Sequence, residues 1–111
     1  MREILFRGKT KNGEWLEWTL LGALLANPRI TTEIELKTVG TYTGLKDRNG
    51  KKIFEGDIVE YREEYGAVEY HDQEAMYFVC FDGWLTDFDH IYGKEVEIIG
   101  NIHDNPELLE E

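Results

Sequence analysis

A mainly β fold, all-β or β-rich α+β, is predicted by three features of this 111-residue chain. Short runs of alternating apolar and polar residues recur at roughly ten-residue spacing, as in small barrels and sandwiches. Two Asn-Gly pairs, Asn12-Gly13 and Asn49-Gly50, supply the positive φ angles that tight hairpin turns need. Gly56-Asp-Ile-Val followed by Gly66-Ala-Val68 fits a small SH3-like β-barrel in the C-terminal half, with one glycine at the first corner and a second at the bend into the next strand. A β-hairpin-rich N-terminal lobe precedes it. The sequence is expected to form one domain of 1–111, divisible into lobes 1–55 and 56–111.

In chain order, Glu3 to Arg7 reads as a short strand, Lys9 to Gly13 as a turn, and Glu14 to Leu21 as the returning strand. The spacing of Trp15 and Trp18 also fits one helix face, so that segment keeps two readings. Ala23 to Ala26 is expected to form a helical turn closed by Asn27-Pro28. Ile30 to Thr38 sets Glu33, Glu35 and Lys37 against Ile34 and Leu36, the period of a half-buried strand. Tyr42 to Leu45 continues extended, the second Asn-Gly turn comes next, and Lys52 to Phe54 returns. Further strands are expected at Asp57–Glu63, Ala67–Tyr70, Met76–Phe81 and Glu95–Asn101. Turns at Tyr65-Gly66, Asp82-Gly83 and Tyr92-Gly93 separate them. Asn105-Pro106 ends the folded part.

Composition narrows the function classes. Apolar residues make up 41% and aromatics 13%, enough to bury a core and oppose disorder. Charge divides unevenly: residues 1–55 hold 10 Lys/Arg against 7 Asp/Glu, whereas 56–111 hold 2 against 16. Such an acidic half disfavours direct binding to nucleic acid or to an anionic membrane, and suits a basic partner. No apolar run approaches a membrane span, and the first residues lack a secretory signal; a cytoplasmic location is expected. Cys80 is the single cysteine, so no intrachain disulfide forms, and its apolar neighbours point to packing rather than nucleophilic chemistry.

Three stretches carry a resemblance: Phe6-Arg-Gly-Lys with Gly13-Glu-Trp15; Tyr42 through Val59; and Ile98-Ile-Gly-Asn-Ile-His-Asp-Asn-Pro-Glu-Leu108. Together they resemble the YopX family of phage and prophage proteins. Phe54 stands where that family commonly has tyrosine. The resemblance implies a phage or prophage gene in a bacterial host and a small, mostly β fold; it brings no established activity.

The motif positions Thr43, Gly44, Leu45, Lys46, Asp47, Asn49, Gly50, Glu55, Gly56, Asp57, Gly100 and Asn101 read as structural. Asn49-Gly50 sets a turn, Asp47 bonds nearby amides, and Gly56 takes a backbone conformation barred to side chains. Lys46, Asp47, Asn49 and Glu55 as a recognition surface is the weaker alternative. His71-Asp-Gln-Glu74, Asp87-Phe-Asp-His90 and His103-Asp104 put every histidine beside a carboxylate, but without the spacing of a metal motif. No cofactor, metal or catalytic residue is assigned. Trp84, Asp87, Phe88 and Asp89 read as a loop presenting apolar rings among acids, which suits a protein contact.

The expected function is a non-catalytic accessory protein: a protein-binding or adaptor module for a host or phage partner that also forms homo-oligomers. Ile30–Thr38 is the candidate pairing strand between copies. The alternative is an acidic mimic of nucleic acid that inhibits a host DNA- or RNA-handling protein. A small metal-dependent hydrolase is a third and weaker reading.

Overall fold

A computed structural model describes residues 4–19, 33–88 and 93–110. Among them the fold is mainly β. Two antiparallel sheets, of four and five strands, account for most of the described residues; three short 3-10 helices connect or end strands, and no α-helix occurs among the described residues. No described helix is long and apolar enough to cross a membrane. The strands are β1 (Leu5–Lys9), β2 (Trp15–Thr19), β3 (Gly40–Lys46), β4 (Lys52–Phe54), β5 (Asp57–Tyr61), β6 (Glu64–His71), β7 (Met76–Phe81), β8 (Trp84–Asp87) and β9 (Glu97–Asn101). The contacts divide the chain into two units, Met1–Tyr42 and Thr43–Glu111. The change in charge falls at 55/56, but β4 and the hairpin before it belong by contact to the second unit.

In the first unit, β1 and β2 form the predicted hairpin. The Gly13 amide donates to the Thr10 carbonyl at 2.9 Å, Gly13 has φ of +90°, and the Thr10 hydroxyl accepts the Glu14 amide at 3.0 Å. The strand reading of Trp15 and Trp18 therefore prevails over the helical one, with Trp18 stacked on Phe6 across the pair. The strand expected over Ile30–Thr38 does not form over the described part. Leu36–Thr38 is a 3-10 helix, and Ile34 makes only an isolated bridge to Thr10. Thr38 explains the difference. Its hydroxyl donates to the Glu35 carbonyl at 2.6 Å and accepts the Lys9 amide at 2.8 Å, which curls the chain. Leu36, expected to face inward, is 84% exposed. Residues 30–32, the helical turn at Ala23–Ala26 and Asn27-Pro28 lie outside the described residues.

In the second unit, β3 and β4 close the Asn49-Gly50 hairpin, and a five-stranded sheet runs β8-β7-β6-β5-β9. Among the described residues that sheet is not closed on itself, and its edges are β8 and β9. Ile53, Val59, Val68, Val79, Val96 and Phe81 form the buried cluster, with Leu45, Tyr61, Tyr77, Phe88 and Ile98 packed against it. Register explains the selection. Val68 lies opposite Val79 and Val59 opposite Gly66, so these positions share the inward face.

The turn between β5 and β6 departs from the sequence reading. It is made by Arg62 and Glu63, with φ of 50° and 70°, and not by Tyr65-Gly66. Two successive positive φ angles match the twist of a two-residue hairpin, for which Asn-Gly is the favoured pair. Without a glycine or asparagine the turn stores strain of about 1 kcal/mol per residue. The double substitution Arg62→Asn, Glu63→Gly is therefore expected to raise stability by about 1–2 kcal/mol, read as a higher urea midpoint with unchanged slope. Gly66 sits mid-strand and buried, where a Cβ would meet Val79 Cγ1 at 2.8 Å and Phe81 Cδ1 at 2.9 Å. Its glycine serves close packing, not a bend.

Candidate functional site

The motif block is tied to the rest of the second unit by main-chain bonds. Asp47 is buried at 4% exposure. Its Oδ1 accepts the Asn49 and Lys51 amides, each at 2.9 Å, and its Oδ2 accepts the Ile98 amide at 2.9 Å, bracing the hairpin against β9. Burial alone pushes this carboxyl up, but the three amides and the Lys51 charge outweigh it and hold the group below the usual carboxylate range. The Thr43 hydroxyl donates to the Ile53 carbonyl at 2.8 Å, and Asp57 Oδ2 accepts the Phe54 amide at 2.7 Å. Gly56, at φ of +94°, donates its amide to Val68 and accepts from Ile102.

At the other end, Asn101 Oδ1 accepts the His103 and Asp104 amides, and a Cβ on Gly100 would meet Asn105 Oδ1 at 2.6 Å. The more exposed members also reach side chains: Asn49 Nδ2 donates to Glu97 at 3.1 Å, beside the 2.8 Å Arg48–Glu60 ion pair. Gly44 and Gly50 have φ of 90° and 80°, Leu45 packs on the core, Lys46 is exposed and Glu55 half-buried. No cluster of reactive groups forms in this block.

The β6–β7 hairpin makes a grouping that no motif announced. Glu69 and His71 are two apart on β6, and Ala67 lies opposite Cys80, so all three side chains share the sheet face opposite the valine cluster. His71 Nε2 is 3.2 Å from Glu69 Oε1 and 3.9 Å from Cys80 Sγ, and the imidazole leans on the Phe78 ring. This is not a cysteine-protease relay. There the base uses one ring nitrogen for the thiol and the other for its carboxylate, whereas here Nε2 faces both. Burial, then the Glu69 carboxylate, also pushes the Cys80 thiol up to about 11, opposite to nucleophile activation. Asp72 and Glu74, the neighbours that the sequence associated with His71, are exposed in the connecting turn.

The predicted contact loop is instead a strand. Trp84–Asp87 forms β8, paired only with β7 among the described residues. Its two-residue connection, Asp82-Gly83, fits a tight hairpin because Gly83 has φ of +84°. Trp84 stacks on Phe81 at 4.3 Å, donates Nε1–H to Glu64 at 3.2 Å, and is 41% exposed; Leu85 is 50% exposed. Phe88 is drawn onto the core, Asp87 is half-buried, and Asp89 and His90 lie outside the described residues. Near the β7–β8 turn opens a groove of about 760 Å³ whose walls include Glu63, Glu64, Glu69, Asp82 and Glu110.

No curated protein matches this chain. The family model for the YopX protein matches residues 9–110, which takes in every strand except part of β1 and all the groups just described. The chain belongs to the YopX family.

Proposed function

We propose that this protein is a non-catalytic, phage- or prophage-encoded protein-binding module that takes a basic, extended segment of a partner along β8. The observation that supports this reading is an edge strand with two exposed apolar side chains, Trp84 and Leu85, beside a groove walled by carboxylates. In an antiparallel hairpin with a two-residue turn, the closing pair Phe81 and Trp84 is hydrogen-bonded and the pattern alternates from there. The main-chain groups of Leu85 then point outward and offer ladder bonds to an added strand. An SH3-like arrangement of the second half, left open at β8, fits the same reading, since only an unclosed barrel leaves an edge for a peptide.

Charge selects the occupant. The chain carries a net −11, so pairing β8 of two copies sets acids against acids, whereas a lysine-rich strand gains from them. Homo-oligomers built on β8 should accordingly strengthen as salt screens that repulsion. The groove also supports a second reading, mimicry of nucleic acid towards a basic host protein; that reading depends on the acids and not on the strand edge.

One titration separates these. An alternating Lys-Val peptide is expected to bind, an alternating Glu-Val peptide to fail, and Leu85→Pro to weaken binding at least tenfold, roughly the 1.4 kcal/mol of one or two ladder bonds. Because the residue-85 amide points away from β7, the melting temperature should change little. Retained binding in Leu85→Pro but loss in Glu63→Lys, Glu64→Lys would select the mimic. Equal binding of both peptides would overturn both readings.

A further inference from the structure

We propose that Glu69, His71 and Cys80 form a binding site for one zinc-type divalent cation. The three ligand atoms lie within 4.8 Å of one another, and each comes from a different donor class: carboxylate oxygen, imidazole nitrogen and sulfur. Zinc binds sulfur at about 2.3 Å and nitrogen or oxygen at about 2.0–2.2 Å, so a tetrahedral ion needs ligand separations of about 3.3–3.6 Å. The separations of 3.2 Å from His71 Nε2 to Glu69 Oε1, and 3.9 Å from Nε2 to Cys80 Sγ, lie within a few tenths of an ångström of that requirement; the third, between Glu69 and Cys80, is within 4.8 Å and is brought to it by rotation of the 53% exposed Glu69 side chain. The feature that disqualifies a protease relay suits a metal site: one imidazole nitrogen, one carboxylate oxygen and one sulfur lie on the same face, all within 4.8 Å of one another.

The scaffold is suited to hold them. All three side chains project from adjacent strands of one hairpin in continuous register, and Phe78 packs against the imidazole, limiting its rotation. The sulfur and imidazole select zinc or cobalt over magnesium or calcium, which prefer all-oxygen sites. Proton balance is simple. The thiol releases one proton to solvent, and the neutral imidazole carries its N–H on Nδ1, leaving Nε2 for the ion. Three protein ligands leave one tetrahedral position for water or another donor, and Glu69 and Cys80 also line the acidic groove. This site shares no residue with the β8 edge itself, although Glu69 and Cys80 also belong to the groove beside it.

Cobalt(II) titration tests it on the whole chain. Expected are one Co²⁺ per chain, a near-ultraviolet sulfur-to-cobalt charge-transfer band with visible bands of tetrahedral intensity, displacement of both by one equivalent of Zn²⁺, and a higher melting temperature with metal. Cys80→Ser should abolish the charge-transfer band. Glu69→Gln, at a side chain 53% exposed and so without effect on folding, should weaken binding at least tenfold, as should His71→Ala. Absence of the band at millimolar cobalt would overturn the proposal. So would a band that survives both Glu69→Gln and His71→Ala unchanged, since that would be binding by the thiol alone.

Discussion

Asp47→Ala is expected to remove about 3–5 kcal/mol of stability, the largest loss from any single polar side chain here. The substitution deletes one carboxylate and strands three amides, those of Asn49, Lys51 and Ile98, where Asp47 is 4% exposed. A hydrogen bond to a charged group contributes about 1.5–3 kcal/mol, and a buried amide left without a partner costs about 1–3 kcal/mol. Two of the three amides belong to a surface turn that water can partly reach, which keeps the total below the full sum. Asp47→Asn should lose nearly as much, because its NH₂ would face either the Ile98 amide or the turn amides, donor against donor.

The lowered carboxyl makes that loss depend on pH. A folded-state value below the unfolded 3.8 means that the stabilisation is fully present above about pH 4 and fades as pH falls through the folded value. Urea midpoints of wild type and Asp47→Ala should therefore stand furthest apart at neutral pH and draw together as pH falls below about 4. A gap that stayed constant over that range would show that the carboxylate's charge is not what holds the turn.

Gly66→Ala is expected to cost about 2–3 kcal/mol although it adds one methyl group to a β-strand. Alanine ordinarily improves on glycine in a strand by restricting the unfolded chain. Here the new Cβ falls 2.8 Å from Val79 Cγ1 and 2.9 Å from Phe81 Cδ1, both on buried side chains that pack the centre of the sheet. Neither can move away without opening space elsewhere, and overpacking of this kind costs about 1–3 kcal/mol before the strand itself shifts. A double-mutant cycle identifies the cause. Val79→Ala removes the methyl group that blocks the space, so the pair should be at least about 1 kcal/mol more stable than the two losses added together. Additivity within error would place the cost in the backbone. Gly83→Ala is the contrast: nothing lies within 4 Å of its Cβ, and its cost would come from φ of +84°.

The parts of the fold legible in the sequence are those written in local chemistry. Asn12-Gly13 and Asn49-Gly50 make the turns that their residue types require, and Met76–Phe81 is the strand that its apolar run predicts. What escaped depends on distant partners. Gly66 resembles a turn residue until Val79 and Phe81 are seen beside it, while Arg62-Glu63 carries no turn signal and bends because the strands on either side pair. Ile34 and Leu36 alternate as a strand would, yet the Thr38 hydroxyl offers the backbone a competing bond. β8 reads as a loop because four residues are too few to display a period. The Glu69–His71–Cys80 grouping was hidden for another reason. Its spacing depends on hairpin register, set by the four-residue turn 72–75 and Ala75 at φ of 55°, which no residue-type pattern encodes.

The two oxygens of Asp47 also belong to different moments in the life of the chain. Oδ1 reaches amides two and four residues ahead, a closure that a nascent hairpin completes in microseconds. Oδ2 waits for an amide 51 residues downstream, on a strand that must insert beside β5. During synthesis the hairpin emerges already preorganised, with a half-used carboxylate aimed at the place where the C-terminal strand will dock. β9, which follows β5 to β8 in the chain, thus completes the second sheet, and until it arrives β5 presents an unprotected edge to any neighbouring nascent chain.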